Sequence, residues 1–169
     1  HLLVRLNKNK NEKQLLLCTT KRKADDQLIK LCKKNNIKFF RGSNENVLKR
    51  LMDGLKKFKH NIVVRITGDD ILIDPDYMDI AINHLIENNL DYVDHKNLPS
   101  GTETEIFDRE TLNLIYKTAR DLKGTEYLTN YIKNNKMIFK TDTAPVLKKH
   151  ISNLRLTIDT KKDFIFVKN

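Results

Sequence analysis

The sequence lacks several features that would place it in a simple structural class. It has no Trp, three Pro, five Gly and two cysteines, and aromatic residues make up 7% of its 169 positions. Cys18 and Cys32 do not form a C-x-x-C pair, which excludes a disulfide scaffold and a zinc ribbon. No apolar run approaches the roughly 20 residues that span a bilayer, and no signal-peptide pattern is present. We therefore expect no membrane association and, from the cysteine usage, a cytoplasmic location.

Positive charge is in excess, but the pattern of the basic residues does not favour nucleic-acid binding. The 32 Lys and Arg outnumber the 22 Asp and Glu, which gives a formal charge of +10. Most of the excess is Lys interspersed with Asn near the expected helix ends, as in residues 7–11 and 133–136. Aromatic residues that could stack on bases do not alternate with these lysines. We interpret the charge as a solvated surface that also attracts small anionic substrates.

Short apolar runs alternate with amphipathic stretches along the chain. A chain of this length can bury a substantial core, and it contains neither an internal repeat nor a low-complexity linker, so we predict one domain over residues 1–169. The alternation predicts an α/β fold with a doubly wound, mostly parallel sheet. Predicted strands are 14–20, 37–40, 61–67, 91–93, 105–107, 137–140 and 154–158; predicted helices are 24–36, 44–59, 74–88, 109–122, 125–134 and 161–168.

Polar residues follow three of the predicted strands, where ligands bind in open α/β sheets. Alternation along the third strand puts Arg65, Thr67 and Asp69 on one side, and a basic residue in an apolar strand needs a charged partner or an anion. Asp159 ends the last predicted strand. Two strand-terminal carboxylates at one edge would suit Mg²⁺, with substrate phosphates completing the coordination. The alternative is that Asp69 or its neighbour caps a loop and that Asp159 caps the last helix.

The turn after the second strand is open to two interpretations. Gly42 permits a close backbone approach, and Ser43 either caps the following helix or faces a ligand. Capping alone explains this short stretch, so it carries little weight by itself.

Five stretches in order along the chain resemble the SpsF-type spore-coat polysaccharide family of cytidylyltransferases, which is related to CMP-sialate and CMP-Kdo synthetases. They are Phe39-Phe40-Arg41-Gly42-Ser43-x-x-Asn46-Val47-Leu48-x-Arg50, Val64-Arg65-Ile66-Thr67-Gly68-Asp69-x-x-Leu72-Ile73-Asp74-Pro75, Thr102-x-x-Glu105-Ile106-Phe107, Thr125-Glu126-Tyr127-Leu128-Thr129 and Leu154-Arg155-Leu156-Thr157-Ile158-Asp159-Thr160-x-x-Asp163-Phe164. The resemblance implies a Rossmann-like three-layer α/β/α fold of the nucleotide-diphospho-sugar transferase type.

The resemblance also implies an activity, the transfer of CMP from CTP to an acidic or surface-glycan sugar with release of pyrophosphate. Carried over position by position, it implies a Mg²⁺ site at Asp69 and Asp159. It implies nucleotide contacts at Gly42, Ser43, Asn46, Arg50, Arg65 and Thr67, and acceptor contacts at Glu103, Glu105, Tyr127 and Thr129. For the two glutamates an exposed strand edge is an equal alternative. Catalysis would be electrostatic and metal-assisted, without a named catalytic side chain.

The sequence departs from that family at two places. The family opens with a strand and a Gly-, Arg- and Lys-bearing loop that cradles the triphosphate, and residues 1–6 instead match the helix after it. We therefore expect little turnover from these 169 residues alone. Tyr127 stands where relatives usually have His, which would alter acceptor choice.

Other functions remain open at this point. They are a nucleotide-sugar-dependent glycosyltransferase of related fold, a non-catalytic nucleotide-binding or interaction module, and a nucleic-acid binder. Gly68-Asp69-Asp70-Ile71 is not the Asp-x-Asp motif that a glycosyltransferase normally carries. Members of the resembled family are often dimers, so a homodimer is compatible, although no stretch marks an interface.

Overall fold

A computed structural model describes residues 1–8, 13–118 and 128–168. Its helices are α1 (Leu2–Leu6), α2 (Asp26–Lys34), α3 (Val47–Leu55), α4 (Pro75–Glu87), α5 (Arg109–Thr118), α6 (Leu128–Asn134) and α7 (Lys161–Lys168). Its strands are β1 (Leu16–Thr20), β2 (Lys38–Gly42), β3 (Ile62–Arg65), β4 (Tyr92–Asp94), β5 (Glu105–Asp108) and β6 (Thr141–Thr143). Short 3₁₀ turns lie at Lys23–Asp25 and Lys148–His150.

The chain divides into two compact units. The first contains His1–Asn11, Ile62–Asp108 and Lys136–Asn169, and the second contains Glu12–Asn61 and Arg109–Asn135. That residues 1–169 form one nucleotidyltransferase-like domain stays a prediction.

A four-stranded sheet with the order β3-β5-β4-β6 forms the centre of the first unit. Strand β5 runs antiparallel to both β3 and β4, whereas β4 and β6 are parallel. Helix α4 packs on the sheet through a core of buried residues: Met78, Ala81, Ile82, Leu85, Val93, Ile106 and Ala144. The helix begins as its sequence predicts, because Pro75 occupies the first turn and the Asp74 carboxylate accepts from the backbone N–H groups of Asp76 (3.0 Å) and Tyr77 (3.1 Å).

Strands β1 and β2 pair in parallel in the second unit, from Leu16 opposite Lys38 to Thr20 opposite Gly42. The buried Leu48 and Met52 belong to α3, which packs on this pair. The guanidinium of Arg109 closes the end of α3 by donating to the carbonyl oxygens of Leu55 (2.8 Å) and His60 (3.2 Å). The described chain thus contains parallel and antiparallel pairs together, a more mixed arrangement than the expected mostly parallel sheet.

Two predicted strands are wrong. Residues 137–140 form turns, and the strand that pairs with β4 begins only at Thr141. In that stretch Phe139 is buried but Met137 is fully exposed, so the apolar pattern there does not mark a strand. Residues 154–158 make a single bridge, between Arg155 and Ser100, and so do not form a strand. The predicted extensions of α5 to residue 122 and of α6 to residue 125 reach outside the described residues.

Candidate functional site

One edge of the four-stranded sheet gathers polar residues from several segments. Strands β3, β4 and β6 point the same way, so their carboxyl ends share this edge with the start of β5. β3 leads here into residues 66–70, and β5 begins here at Glu105, after the segment 101–104. This is the edge at which open α/β sheets bind ligands.

The two carboxylates predicted from sequence as metal ligands belong to segments that are joined at this edge. The backbone N–H of Ile158 donates to the carbonyl oxygen of Asp69 at 3.1 Å. Asp159, the next residue, is half exposed and its carboxylate forms an ion pair with Arg155. Asp69 and Asp159 are 90 positions apart in the sequence, and the fold joins the segments that carry them.

Asp70 is a third carboxylate of this neighbourhood, considered in the sequence only as a loop cap. Its side chain accepts a hydrogen bond from the Thr67 hydroxyl, so the cap interpretation accounts for that contact. Burial raises the pKa of the Asp70 carboxyl, the Thr67 hydrogen bond opposes the rise, and the charges of Asp69 and Asp159 add to it. These influences indicate that the three carboxylates lie near one another.

β3 ends at Arg65, so the predicted alternation does not continue to Thr67 and Asp69, which lie in the turn that follows.

The donor set suits a hard divalent cation. No group of three or more Asp, Glu, His or Cys residues in the described parts of the chain is arranged to hold a metal on its own. Mg²⁺ is commonly held by one or two carboxylates together with substrate phosphates, and Asp69 and Asp159 match that pattern. The Asp159 carboxylate pairs with Arg155 and is about half exposed, so solvent reaches it.

Arg65 and Glu105 neutralise each other across the β3–β5 pair. They are register partners, and their side chains form an ion pair of which 16% and 19% remains exposed. The phenol of the buried Tyr92 donates to Oε1 of Glu105 at 3.2 Å. Arg65 thus has the charged partner that its position in an apolar strand requires. A nucleotide contact of Arg65 and an acceptor contact of Glu105 stay predictions.

Glu103 is half-buried and lies in the segment between Gly101 and β5. Ser100 at the start of this segment donates its N–H to the carbonyl of Leu154 (3.0 Å) and accepts from the N–H of Leu156 (2.6 Å). Gly101 has a φ of +94°, and a Cβ placed on it would lie 2.5–2.9 Å from backbone atoms of Leu156 and Thr157. Glycine at this position therefore allows the chain that carries Asp159 to lie directly against residues 100–102.

The predicted nucleotide contacts of the second unit take part in local structure. Asn46 caps α3 by accepting from the N–H of Lys49 (2.7 Å), and the Ser43 hydroxyl accepts from the N–H of Asn46 (3.0 Å). Arg50 donates from Nη1 to the Ser43 carbonyl (2.6 Å), while its Nε is buried without a partner among the described residues. A Cβ on Gly42 would lie 2.7 Å from the Phe40 ring, so this glycine is needed for packing. Their nucleotide contacts stay predictions.

Two of the residues that the resemblance assigns to the sugar acceptor remain, Thr129 and Tyr127. Thr129 is half-buried in the first turn of α6 in the second unit. Tyr127 lies outside the described residues.

Sequence reasoning missed a buried polar group beside the site. Asp94 ends β4 and accepts from the Thr143 hydroxyl at 2.8 Å, and His95 follows it almost fully buried. The Nε2 of His95 lies 2.8 Å from the Tyr77 carbonyl oxygen and its Nδ1 lies 3.2 Å from the Thr104 hydroxyl. A neutral imidazole that donates from Nε2 and accepts at Nδ1 satisfies both contacts. Burial lowers the pKa of His95, although hydrogen bonds to Tyr77 and Thr104 oppose this.

Acidification is expected to destabilise the protein through His95. The unfolded chain takes up a proton near pH 6.5 while the native imidazole resists it, so this contribution to stability is complete above that pH and is lost as the pH falls. The loss is about 1.4 kcal/mol for each unit by which the two pKa values differ. Denaturant unfolding between pH 7 and 5 should show a shallower pH dependence for His95→Gln than for the wild type. The exposed His60→Gln is the control, and an unchanged slope in His95→Gln would contradict this assignment.

The described chain has a Rossmann-like α/β fold with polar residues gathered at the sheet edge where such folds bind ligands. A family model described as cytidylyltransferase matches residues 1–168. The chain belongs to the cytidylyltransferase family.

Individual proteins are similar to this chain over most of its length. An uncharacterised protein of Methanocaldococcus jannaschii is 36% identical over 96% of this chain and 68% of its own length. The spore coat polysaccharide biosynthesis protein SpsF of Bacillus subtilis is 30% identical over 94% of this chain and 67% of its own. A solved cytidylyltransferase structure from Leptospira borgpetersenii superposes with a TM-score of 0.88 at 29% identity, over 96% of this chain and 70% of that one.

The described chain contains no helix that is both long and apolar enough to cross a membrane.

Proposed function

We propose that this protein transfers CMP from CTP to a sugar destined for a surface polysaccharide, with Mg²⁺ held by Asp69 and Asp159. The observation that supports it most strongly is the hydrogen bond from Ile158 to Asp69, which joins the segments of the two carboxylates at the ligand-binding edge. Membership of the cytidylyltransferase family and the similarity to SpsF support the nucleotide and the polysaccharide context.

In this reaction a sugar oxygen forms a new bond to the α-phosphorus of CTP, and the bond to the pyrophosphate oxygen breaks. When bound, Mg²⁺ would offset the negative charge that develops on the phosphates. The contribution of the chain is mainly positioning and electrostatic. Asp69 and Asp159 would hold the cation against the phosphates, and the ion pair with Arg65 holds Glu105, a predicted contact of the sugar, in place. The nucleophilic oxygen gives its proton to solvent water during the transfer, and pyrophosphate leaves with the electron pair of the broken bond.

The experiment is a calorimetric titration of CTP, UTP and CMP in the presence of Mg²⁺. Cytidine-selective binding is expected, and Asp69→Ala should weaken it by about tenfold, because the loss of a carboxylate ligand weakens the metal that the phosphates share. Asp76→Ala is the matched control, since it removes an exposed carboxylate at the start of α4.

Equal binding of CTP and UTP would contradict the choice of cytidine. Binding of CTP that Asp69→Ala leaves unchanged would contradict the assignment of the metal site. A nucleotide-sugar is titrated in the same way, and its binding in place of CTP would favour the glycosyltransferase alternative.

A further inference from the structure

Arg155 is the cation nearest to the proposed metal ligands in the described contacts, and it has two carboxylate partners. Its guanidinium forms an ion pair with Oδ2 of Asp159, and its Nη1 lies 3.2 Å from Oδ1 of Asp163. Both Arg155 and Asp159 are about half exposed, at 51% and 52% of their side chains, so a solvent-borne ligand can reach the pair. An ion pair this exposed contributes little stability and can open readily.

The two carboxylates are not equivalent. Oδ2 of Asp163 accepts from the N–H of Asp159 (3.0 Å) and from the N–H (2.7 Å) and hydroxyl (2.9 Å) of Thr160, which fixes this side chain at the start of α7. Hydrogen bonds from Thr160 lower the pKa of Asp163, with a smaller effect of Arg155. Among the described residues Asp159 has no comparable set of backbone donors; besides Arg155, its Oδ2 has the Thr157 hydroxyl at 3.5 Å. The guanidinium can therefore leave Asp159 while Asp163 continues to hold it.

Hydrogen bonds on both sides of Arg155 hold the backbone at its position. Its neighbours Leu154 and Leu156 are hydrogen-bonded to Ser100, and Gly101 allows the following residues to lie directly against that segment. The side chain is thus anchored at its base, next to residues 100–102, while its half-exposed guanidinium can exchange partners.

The geometry points to Arg155 as a positioning residue that exchanges its partner when substrate binds. Without substrate its guanidinium occupies the Asp159 oxygen that the proposed function assigns to the metal. A guanidinium and a divalent cation repel each other and compete for that oxygen. With metal and nucleotide present, Arg155 turns from Asp159 to the phosphate oxygens, which its planar donor fork can contact in pairs. The inference rests on the proposed function of Asp159.

Because of this exchange, removal of the Arg155 guanidinium should affect the affinity for metal and the affinity for CTP in opposite directions. Removal of the guanidinium frees Asp159, so metal alone binds more tightly, by about two- to fivefold for an exposed ion pair. Removal also takes away a donor to phosphate, so CTP in the presence of metal binds about tenfold more weakly. A residue that only stabilised α7 would weaken both ligands or neither.

The experiment measures Mn²⁺ binding without nucleotide, from the electron paramagnetic resonance signal of the free ion, and CTP binding at saturating Mn²⁺ by calorimetry. The variants are Arg155→Gln and Arg155→Lys, of which the second keeps the charge but loses the planar fork. Lys162→Gln is the matched control, because it removes one positive charge from an exposed position of the neighbouring α7. Thermal unfolding of each variant reports the loss of helix stabilisation.

We expect tighter Mn²⁺ and weaker CTP binding in Arg155→Gln, near-normal Mn²⁺ but weakened CTP binding in Arg155→Lys, and neither change in Lys162→Gln. Mn²⁺ binding that is unchanged or weaker in Arg155→Gln would overturn the exchange and leave a helix-stabilising pair. The same gain in Lys162→Gln would reduce it to a general charge effect. If Asp159→Asn leaves Mn²⁺ binding intact, the metal site of the proposed function fails, and the exchange fails with it.

Discussion

Asp159→Asn is expected to lower the rate of cytidylyl transfer by about a hundredfold or more, measured as pyrophosphate release by the protein expressed from its own gene. The substitution keeps the shape of the side chain but removes the charge that would hold a cation against the phosphates, and electrostatic stabilisers of this kind each contribute about 10²–10³ to a rate. Asp69→Asn should have a similar effect. Because the two carboxylates would act as one unit, the double variant should be little slower than either single variant.

The design separates catalysis from folding. Asp159 is half exposed and the replacement is isosteric, so the midpoint of thermal unfolding should change little. Asp76→Asn at the exposed start of α4 should keep the wild-type rate. Full activity in Asp159→Asn would show that the carboxylate does not take part in the reaction.

Gly101→Ala is expected to have the largest effect on stability, a loss of about 3 kcal/mol in the free energy of unfolding. A side chain at a φ of +94° is strained by itself, by about 1–3 kcal/mol, and the new Cβ would also press on backbone atoms of Leu156 and Thr157, which cannot rotate away. Displacing that segment would also move Asp159, so nucleotide binding should weaken as well.

Gly68→Ala is the matched control for this substitution. Gly68 lies in the turn that follows β3, and nothing lies within 4 Å of a Cβ placed there. Its replacement should change the free energy of unfolding by less than about 1 kcal/mol in chemical denaturation. Equal effects of the two substitutions would show that residues 156–157 do not lie against Gly101.

Much of the secondary structure follows from local pattern. The Asp-Pro pair sets the start of α4, and the apolar spacing of residues 47–55 sets α3, because both signals operate within a few turns of chain. β6 could not be predicted, since Thr141–Thr143 has no apolar residue and becomes a strand only by pairing with β4. The sequence instead predicts a strand at the apolar residues 137–140, which come just before β6.

The candidate site also has features that the sequence determined and features that only the tertiary structure decided. The sequence alone determined the cytidylyltransferase resemblance and the choice of Asp69 and Asp159 as candidate ligands, since residue type and order suffice for both. Only the tertiary structure decided the partners: Arg65 with Glu105, Arg155 with Asp159, and the buried His95 with Tyr77 and Thr104. Charge pairing and burial depend on distances in space between residues that are up to 40 positions apart in these examples, and no local pattern encodes such distances.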